Sequence, residues 1–265
     1  MKTLVICPVY NERNYIISFI YNVLNYVDNC CHLLIMDDYS NDGTRDLLLF
    51  ISKELSSLRD RFLIIFNESN LGYGDNLLKG FEFAIVKGYD KVLTIDCDFQ
   101  HLPCYIPIFI SLSKKYTFVT GTRYSYNSFK VNEKNVFRYM INKKMVDLLR
   151  FFYNVSVTDF FCGFRIYDKE LLLWIFNKLS SYKNKEGVCF SYDFPIYLWI
   201  DLLNFTDNIK EFPVPFIFKS GRDFKGKNTE SIRDHYRRVE EYVKKFINYY
   251  VYRENDKSKN FEFSG

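Results

Sequence analysis

Short apolar runs alternate with helix-period segments through the first half of the chain. Residues 3–7 (TLVIC), 32–36 (HLLIM), 62–66 (FLIIF), 91–95 (KVLTI) and 116–121 (YTFVTG) each read as a buried strand bounded by polar or turn residues. Between the first two, Ile16, Ile20, Val23, Leu24 and Val27 recur at the spacing of an amphipathic helix, and similar helices are expected over 43–57, 73–87 and 104–114. Strand–helix–strand repetition predicts an α/β fold with a mostly parallel sheet covered on both faces. Such sheets bind their ligands beyond the carboxyl ends of the strands.

Polar clusters stand at those ends: PVYNE (8–12) after the first run, DDYSNDGT (37–44) after the second, NESNLGYG (67–74) after the third and DCDFQHLP (96–103) after the fourth. Turn and cap chemistry accounts for Ser40, Asn41, Asp42 and Gly43. Asp37, Asp38, Asp96 and Asp98 differ, because paired carboxylates at the end of a buried strand are costly unless a cation or donor meets them. In an extended chain Asp96 and Asp98 point to one side and Cys97 to the other. Two hard oxygen ligands suit Mg²⁺ or Mn²⁺, which complete their shells with water and substrate phosphate, and Gln100 adds a neutral oxygen. His101 reads better as a hydrogen-bonding neighbour than as a ligand. The chemistry that needs this set is departure of a diphosphate while other groups hold the electrophile in line with its nucleophile.

The second half is less regular. Basic residues from Lys130 to Arg150, Arg138 among them, interleave with Val136, Phe137, Met140, Ile141, Met145, Leu148, Leu149 and Phe152, and a second basic amphipathic helix is expected over about 229–250. Each suits either a core-facing helix with a solvated face or a surface helix on anionic lipid. We expect one domain over 1–250, with halves at 1–125 and 126–250, and a flexible tail over 251–265.

Composition narrows the class. A chain of 265 residues, 48% hydrophobic with 27 Phe and 22 Tyr, can bury a large core without staples. A net charge of +4 is too slight to indicate nucleic acid. Seven cysteines without a C-x-x-C pair indicate reduced thiols and a cytoplasmic setting. The initial apolar run suits a strand better than a secretory segment, and no stretch approaches the roughly 18–20 apolar residues of a membrane span. Any membrane is therefore met from its surface, at the cytoplasmic face, or through a membrane partner.

PVYNE, DDYSNDGT, NLGYGDNLLKGFEFA, IDCDFQHLP, TGTRY and TDFFCGFRIYDKELL, in that order over roughly residues 1–220, resemble the family 2 inverting glycosyltransferases of the GT-A (Rossmann-like) fold. Within them the likeness is greatest to dolichol-phosphate mannosyltransferase and related polyprenyl-phosphate sugar transferases. The resemblance implies transfer of a sugar, such as mannose or glucose, from a GDP- or UDP-sugar to a dolichyl or undecaprenyl phosphate, with inversion. Pro8, Tyr10 and Glu12 would line the nucleoside pocket, with Asp37 or Asp38 addressing the base. Asp96 would approach the ribose, Asp98 and Gln100 would hold the metal, and Lys219 or Arg222 would bind the diphosphate. Arg123, Arg138 and Asn142 match acceptor-phosphate positions, a task to which a guanidinium is well suited.

Asp193 is the candidate general base, completing a catalytic set with Asp96 and Asp98. A hydroxyl acceptor needs such a base, whereas a lipid phosphate is already ionised. Alternative readings are transfer to a glycan or protein hydroxyl, and a non-catalytic nucleotide-sugar-binding protein. Departures from the family pattern are Tyr39 at a usually small position, Cys162 where Ser is common, and the basic loop FKSGRDFKGKNT. A phosphatase reading fails because D-x-D follows the fourth strand rather than the first. A dinucleotide-binding reading fails because Leu77 stands at the third glycine position.

Overall fold

A computed structural model describes residues 1–58, 60–124, 136–215 and 232–262. Among the described residues, strands β1 (Thr3–Val9), β2 (Cys31–Asp37), β3 (Phe62–Phe66), β4 (Lys91–Thr94), β5 (Phe118–Thr122), β6 (Arg165–Asp168) and β7 (Ile209–Pro213) form one sheet. Their order is β3-β2-β1-β4-β6-β5-β7. β1 pairs in parallel with β2 and β4, β2 with β3, and β5 with β7, while β6 runs antiparallel to both β4 and β5. The helices are α1 (Ile16–Tyr26), α2 (Thr44–Glu54), α3 (Tyr73–Val86), α4 (Ile106–Leu112), α5 (Val136–Tyr153), α6 (Lys169–Glu186), α7 (Phe194–Leu203) and α8 (Ile232–Glu262).

Strand alternation sorts the core into two layers. Leu4 and Ile6 of β1 face one side with Leu34, Met36, Phe81, Leu171 and Trp199; Val5 and Cys7 face the other with Phe19, Ile35, Leu48 and Phe109. Both faces are covered, which is why the parallel strands read as unbroken apolar runs. The five expected strands all form. β6 and β7 were not expected, because RIYD and IKEFP are short, each carries two charged residues, and neither shows an apolar run.

Antiparallel β6 has a positional consequence. Its pairing of Thr94 with Arg165 brings the segment before β6 to the edge where β4 and β5 end. That edge also receives the carboxyl ends of β1, β2 and β3. One rim is built from all of them.

Two expectations are corrected. β4 ends at Thr94, so Asp96 and Asp98 lie in a turn beyond the strand rather than on it. α8 continues to Glu262, past the expected start of a frayed tail. The continuation has a cause at Arg253, which is 3% exposed and pairs with Asp201 (2.8 Å) and Asp256 (2.7 Å). Tyr249 donates to the same Asp201 (2.6 Å). α5 packs on α8 through Phe152 against Phe246 and Tyr250, with ring centroids 5.8 and 4.4 Å apart. No helix among the described residues is long and apolar enough to cross a membrane.

Removing one partner of a buried pair leaves an uncompensated charge. Arg253→Ala is expected to cost about 3 kcal/mol or more in urea unfolding. Lys143→Ala, which breaks only the exposed Lys143–Asp147 pair on α5, should cost less than about 1 kcal/mol.

Candidate active site

The loops after β1 and β2 are fastened side chain to backbone. Asn11, left-handed at φ 56°, donates its N–H to Ser40 Oγ (2.8 Å) and accepts from Asn41 N (2.8 Å), while Glu12 N donates to Thr44 Oγ1 (2.9 Å). Asn tolerates that conformation well. Pro8 and Glu12 are half-buried and Tyr10 is exposed along this edge.

The neighbouring carboxylates of β2 have different situations. Asp38 accepts from Leu71 N (2.8 Å), Gly72 N (2.9 Å) and Asn67 Nδ2 (3.0 Å), so it anchors the loop before α3. Asp37 is fully buried. Its Oδ2 meets Ser40 N and Arg45 Nε, both at 3.4 Å, and its Oδ1 has no hydrogen-bond partner among the described residues. Burial pushes Asp37 above the usual carboxylate range, against the opposing pull of Ser40 and Arg45. An orphaned buried acceptor is costly, and a ligand N–H would relieve it.

Asp96 accepts from Tyr73 Oη (3.4 Å). Burial first, then the charge of Asp98, raise it to about 7. Asp98 Oδ1 accepts from Gln100 N (2.9 Å) across a tight turn in which Phe99 is left-handed at φ 57°. Cys97 is buried in the core, so the carboxylates and the thiol are separated as expected. Asp98's charge contributes to the rise at Asp96, a carboxylate repulsion that a divalent cation would relieve. No group of three or more His, Cys, Asp or Glu able to hold an ion occurs among the described residues. A metal here would draw the rest of its shell from water and a bound phosphate. His101 is buried against Phe164 and near Cys162 Sγ (3.7 Å), with burial and then Arg123 lowering it to about 3. It is a neutral packing residue.

On the other side of the rim, Arg123 grips Asp159 in two parallel bonds, Nε to Oδ2 at 2.6 Å and Nη2 to Oδ1 at 2.7 Å. Burial alone would raise Asp159; Arg123's charge and hydrogen bonds outweigh it and leave the carboxyl below its usual value. The segment around Asp159 is pinned from two further directions. Glu211 of β7 accepts from Thr158 N (2.9 Å) and Asp159 N (3.1 Å). Asn142 of α5 donates to Thr158 O and accepts from Phe160 N, both at 2.8 Å. Asn142 thus has both amide heteroatoms on backbone. Arg138 lies on α5 with its side chain outside the described residues, as are Lys219 and Arg222.

Asp193 stands at the start of α7, accepting from Ser191 N (3.0 Å) and ion-paired to Lys245 of α8. Sequence reading missed Tyr73, Asp159, Arg165 and Tyr192. Arg165 is 3% exposed, donates to Phe160 O (2.9 Å) and lies over Trp199, and its charge opposes the rise at Asp96. Tyr73 lies within the quoted NLGYG, and Asp159 and Arg165 within TDFFCGFRIYDKELL, but no spacing rule joins Arg123 to Asp159 across 36 residues. A Cβ at Gly163 would fall 2.6 Å from Asp96 Oδ2, which explains the glycine before Phe164 and Arg165.

This sheet and rim are those of GT-A glycosyltransferases. Glucosyl-3-phosphoglycerate synthase from Mycobacterium tuberculosis, solved with Mn²⁺, UDP and glucosyl-3-phosphoglycerate, superposes with a TM-score of 0.57 at 18% identity, over 84% of this chain and 73% of that one. A mannosyltransferase from Pyrobaculum calidifontis, solved with GDP-Man and Mn²⁺, gives 0.50 at 15% identity, over 80% and 55%. The sequence model for glycosyl transferase family 2 matches residues 4–174, and the chain belongs to that family. Polyprenol monophosphomannose synthase of Mycolicibacterium smegmatis is 29% identical over 220 residues, 81% of this chain and 77% of that protein. Undecaprenyl-phosphate mannosyltransferase of Micrococcus luteus is 23% identical over 222 residues, 82% and 84%.

Asp159→Asn should cost about 3–5 kcal/mol near neutral pH, because it leaves Arg123 buried without its counter-charge. The folded carboxyl is depressed, so its contribution is complete above the unfolded value of 3.8 and is lost as pH falls below it. The variant's deficit in melting temperature should therefore persist down to about pH 4 and shrink only as pH falls further, through the depressed folded value. Gly163→Ala should reduce sugar transfer at least about tenfold by displacing Asp96, with little change in melting temperature, since the obstructed atom ends a side chain.

Proposed function

We propose that the chain is a metal-dependent inverting glycosyltransferase that moves a sugar from a nucleotide-sugar to a polyprenyl phosphate. The observation that carries the donor half is the pairing on one rim of Asp37's orphaned oxygen with the Asp96–Asp98 turn. Asp38 is saturated by its loop, so Asp37 is the group that addresses a base N–H. Pro8, Tyr10 and Glu12 line the nucleoside, and Asp96 meets the ribose. Asp98 and Gln100 hold Mg²⁺ or Mn²⁺, which when bound supplies positive charge against the leaving diphosphate. Lys219 or Arg222 adds a cation there.

The acceptor half rests on the named activities of the two relatives and on Asp193. An acidic residue already ion-paired to Lys245 is a poor general base, and an ionised phosphate needs none. Arg123, oriented by Asp159, and Arg138 supply positive charge on the acceptor side. Asn142 contributes by fixing residues 158–160. A polyprenyl phosphate resides in a membrane, so the chain works at a membrane surface or beside a membrane partner, facing the cytoplasm. Phe151 and Met140 on α5, with Ile247 and Val251 on α8, are exposed apolar side chains that suit such contact.

A panel of radiolabelled GDP- and UDP-sugars with Mg²⁺ or Mn²⁺ and a short polyprenyl phosphate, followed by solvent extraction, tests the whole reading. Label is expected in the lipid phase; transfer only to water-soluble glycans would contradict it. Asp98→Ala should lower lipid labelling at least about a hundredfold, the scale of one electrostatic group in a transition state.

A further inference from the structure

Tyr192 directly precedes Asp193 and is 72% exposed, yet its position is held by its surroundings. Its ring stacks on Tyr73 with centroids 5.9 Å apart and planes 14° from parallel, and Tyr73 in turn donates to Asp96. Asp75 N donates to Phe190 O (3.0 Å), tying the turn that carries Tyr192 to the first turn of α3. The close approach is possible because residue 74 is glycine: a Cβ there would lie 2.6 Å from that of Phe190. Lys245 fastens the following residue from α8. One face of the Tyr192 ring is therefore covered and the other is open. Partial burial, then the charges of Asp96, Glu12 and Asp38, raise its phenol.

An exposed aromatic ring stacked on the tyrosine that meets Asp96 suits a pyranose, whose C–H face packs on the ring while its hydroxyls meet nearby polar groups. A nucleobase also stacks on aromatics, but the donor reading above places the base at Asp37, at the end of β2. β2 is two positions from β4 in the sheet, or about 10 Å. Tyr192 covers the Tyr73–Asp96 contact at the end of β4. Resting on the donor reading above, we infer that Tyr192 is a stacking platform for the donor's sugar ring, positioning it for transfer.

Calorimetric titration of the full chain with GDP, GDP-mannose, UDP and UDP-glucose, each with Mn²⁺, isolates the sugar's contribution. Tyr192→Ala is expected to weaken the nucleotide-sugar that the wild type binds by about 5- to 10-fold and the matching diphosphate by less than about twofold. Tyr192→Phe, which keeps the ring, should bind both as the wild type does. Equal losses for both ligands, no loss for the nucleotide-sugar, or a Phe variant as weak as Ala would overturn the inference while the donor site stands. If the wild type bound none of the four, the donor reading would fall and this inference with it.

Discussion

The buried pair of Arg123 and Asp159 is the contact on which the rim depends. Arg123 follows β5, Asp159 precedes β6, and their parallel hydrogen bonds close the gap between the two at the edge where β4 also ends. A guanidinium and a carboxylate taken out of water repay their desolvation only when geometry is good and remaining polar groups are satisfied. Glu211 and Asn142 meet that condition by holding the backbone on either side of Asp159. The segment so fixed delivers Gly163 against Asp96 and Arg165 beneath it. A pair far from the nucleotide in sequence terms thus sets where the first carboxylate of the D-x-D turn can stand.

The same division between anchoring and available groups recurs around the rim. Asp37 and Asp38 are adjacent in sequence and nearly equal in burial, but one is saturated by loop N–H groups and the other keeps a buried oxygen without a protein donor. Asp193 and Asn142 are likewise engaged, by Lys245 and by backbone respectively. Polar residues that hold loops in register and polar residues that await a ligand look alike in composition. Hydrogen-bond accounting separates them.

Much of this was legible before any coordinates. The parallel strands and their helices could be placed from apolar runs and periodicity, and the rule that ligands sit at strand carboxyl ends pointed to the rim proposed as the site. β6 and β7 were not legible, since two charges in four or five residues leave no apolar run, and β6's reversal is a tertiary fact. The D-x-D residues were found, but on an assumed strand rather than the turn that Phe99's left-handed backbone permits. Arg253 was read as the edge of a tail because its partner Asp201 is 52 residues away. Tyr192 gave no local signal, because it lies in a turn and its ring contact is with Tyr73 of α3, far away in sequence.

A crystal structure of the chain with Mn²⁺ and the nucleoside diphosphate it binds most tightly would test the central claim directly. The account predicts a base N–H on Asp37 Oδ1 and Mn²⁺ beside Asp98 and Gln100, with Asp38 still holding the 71–72 backbone. A nucleotide seated away from this rim, or a metal that leaves Asp98 untouched, would contradict it.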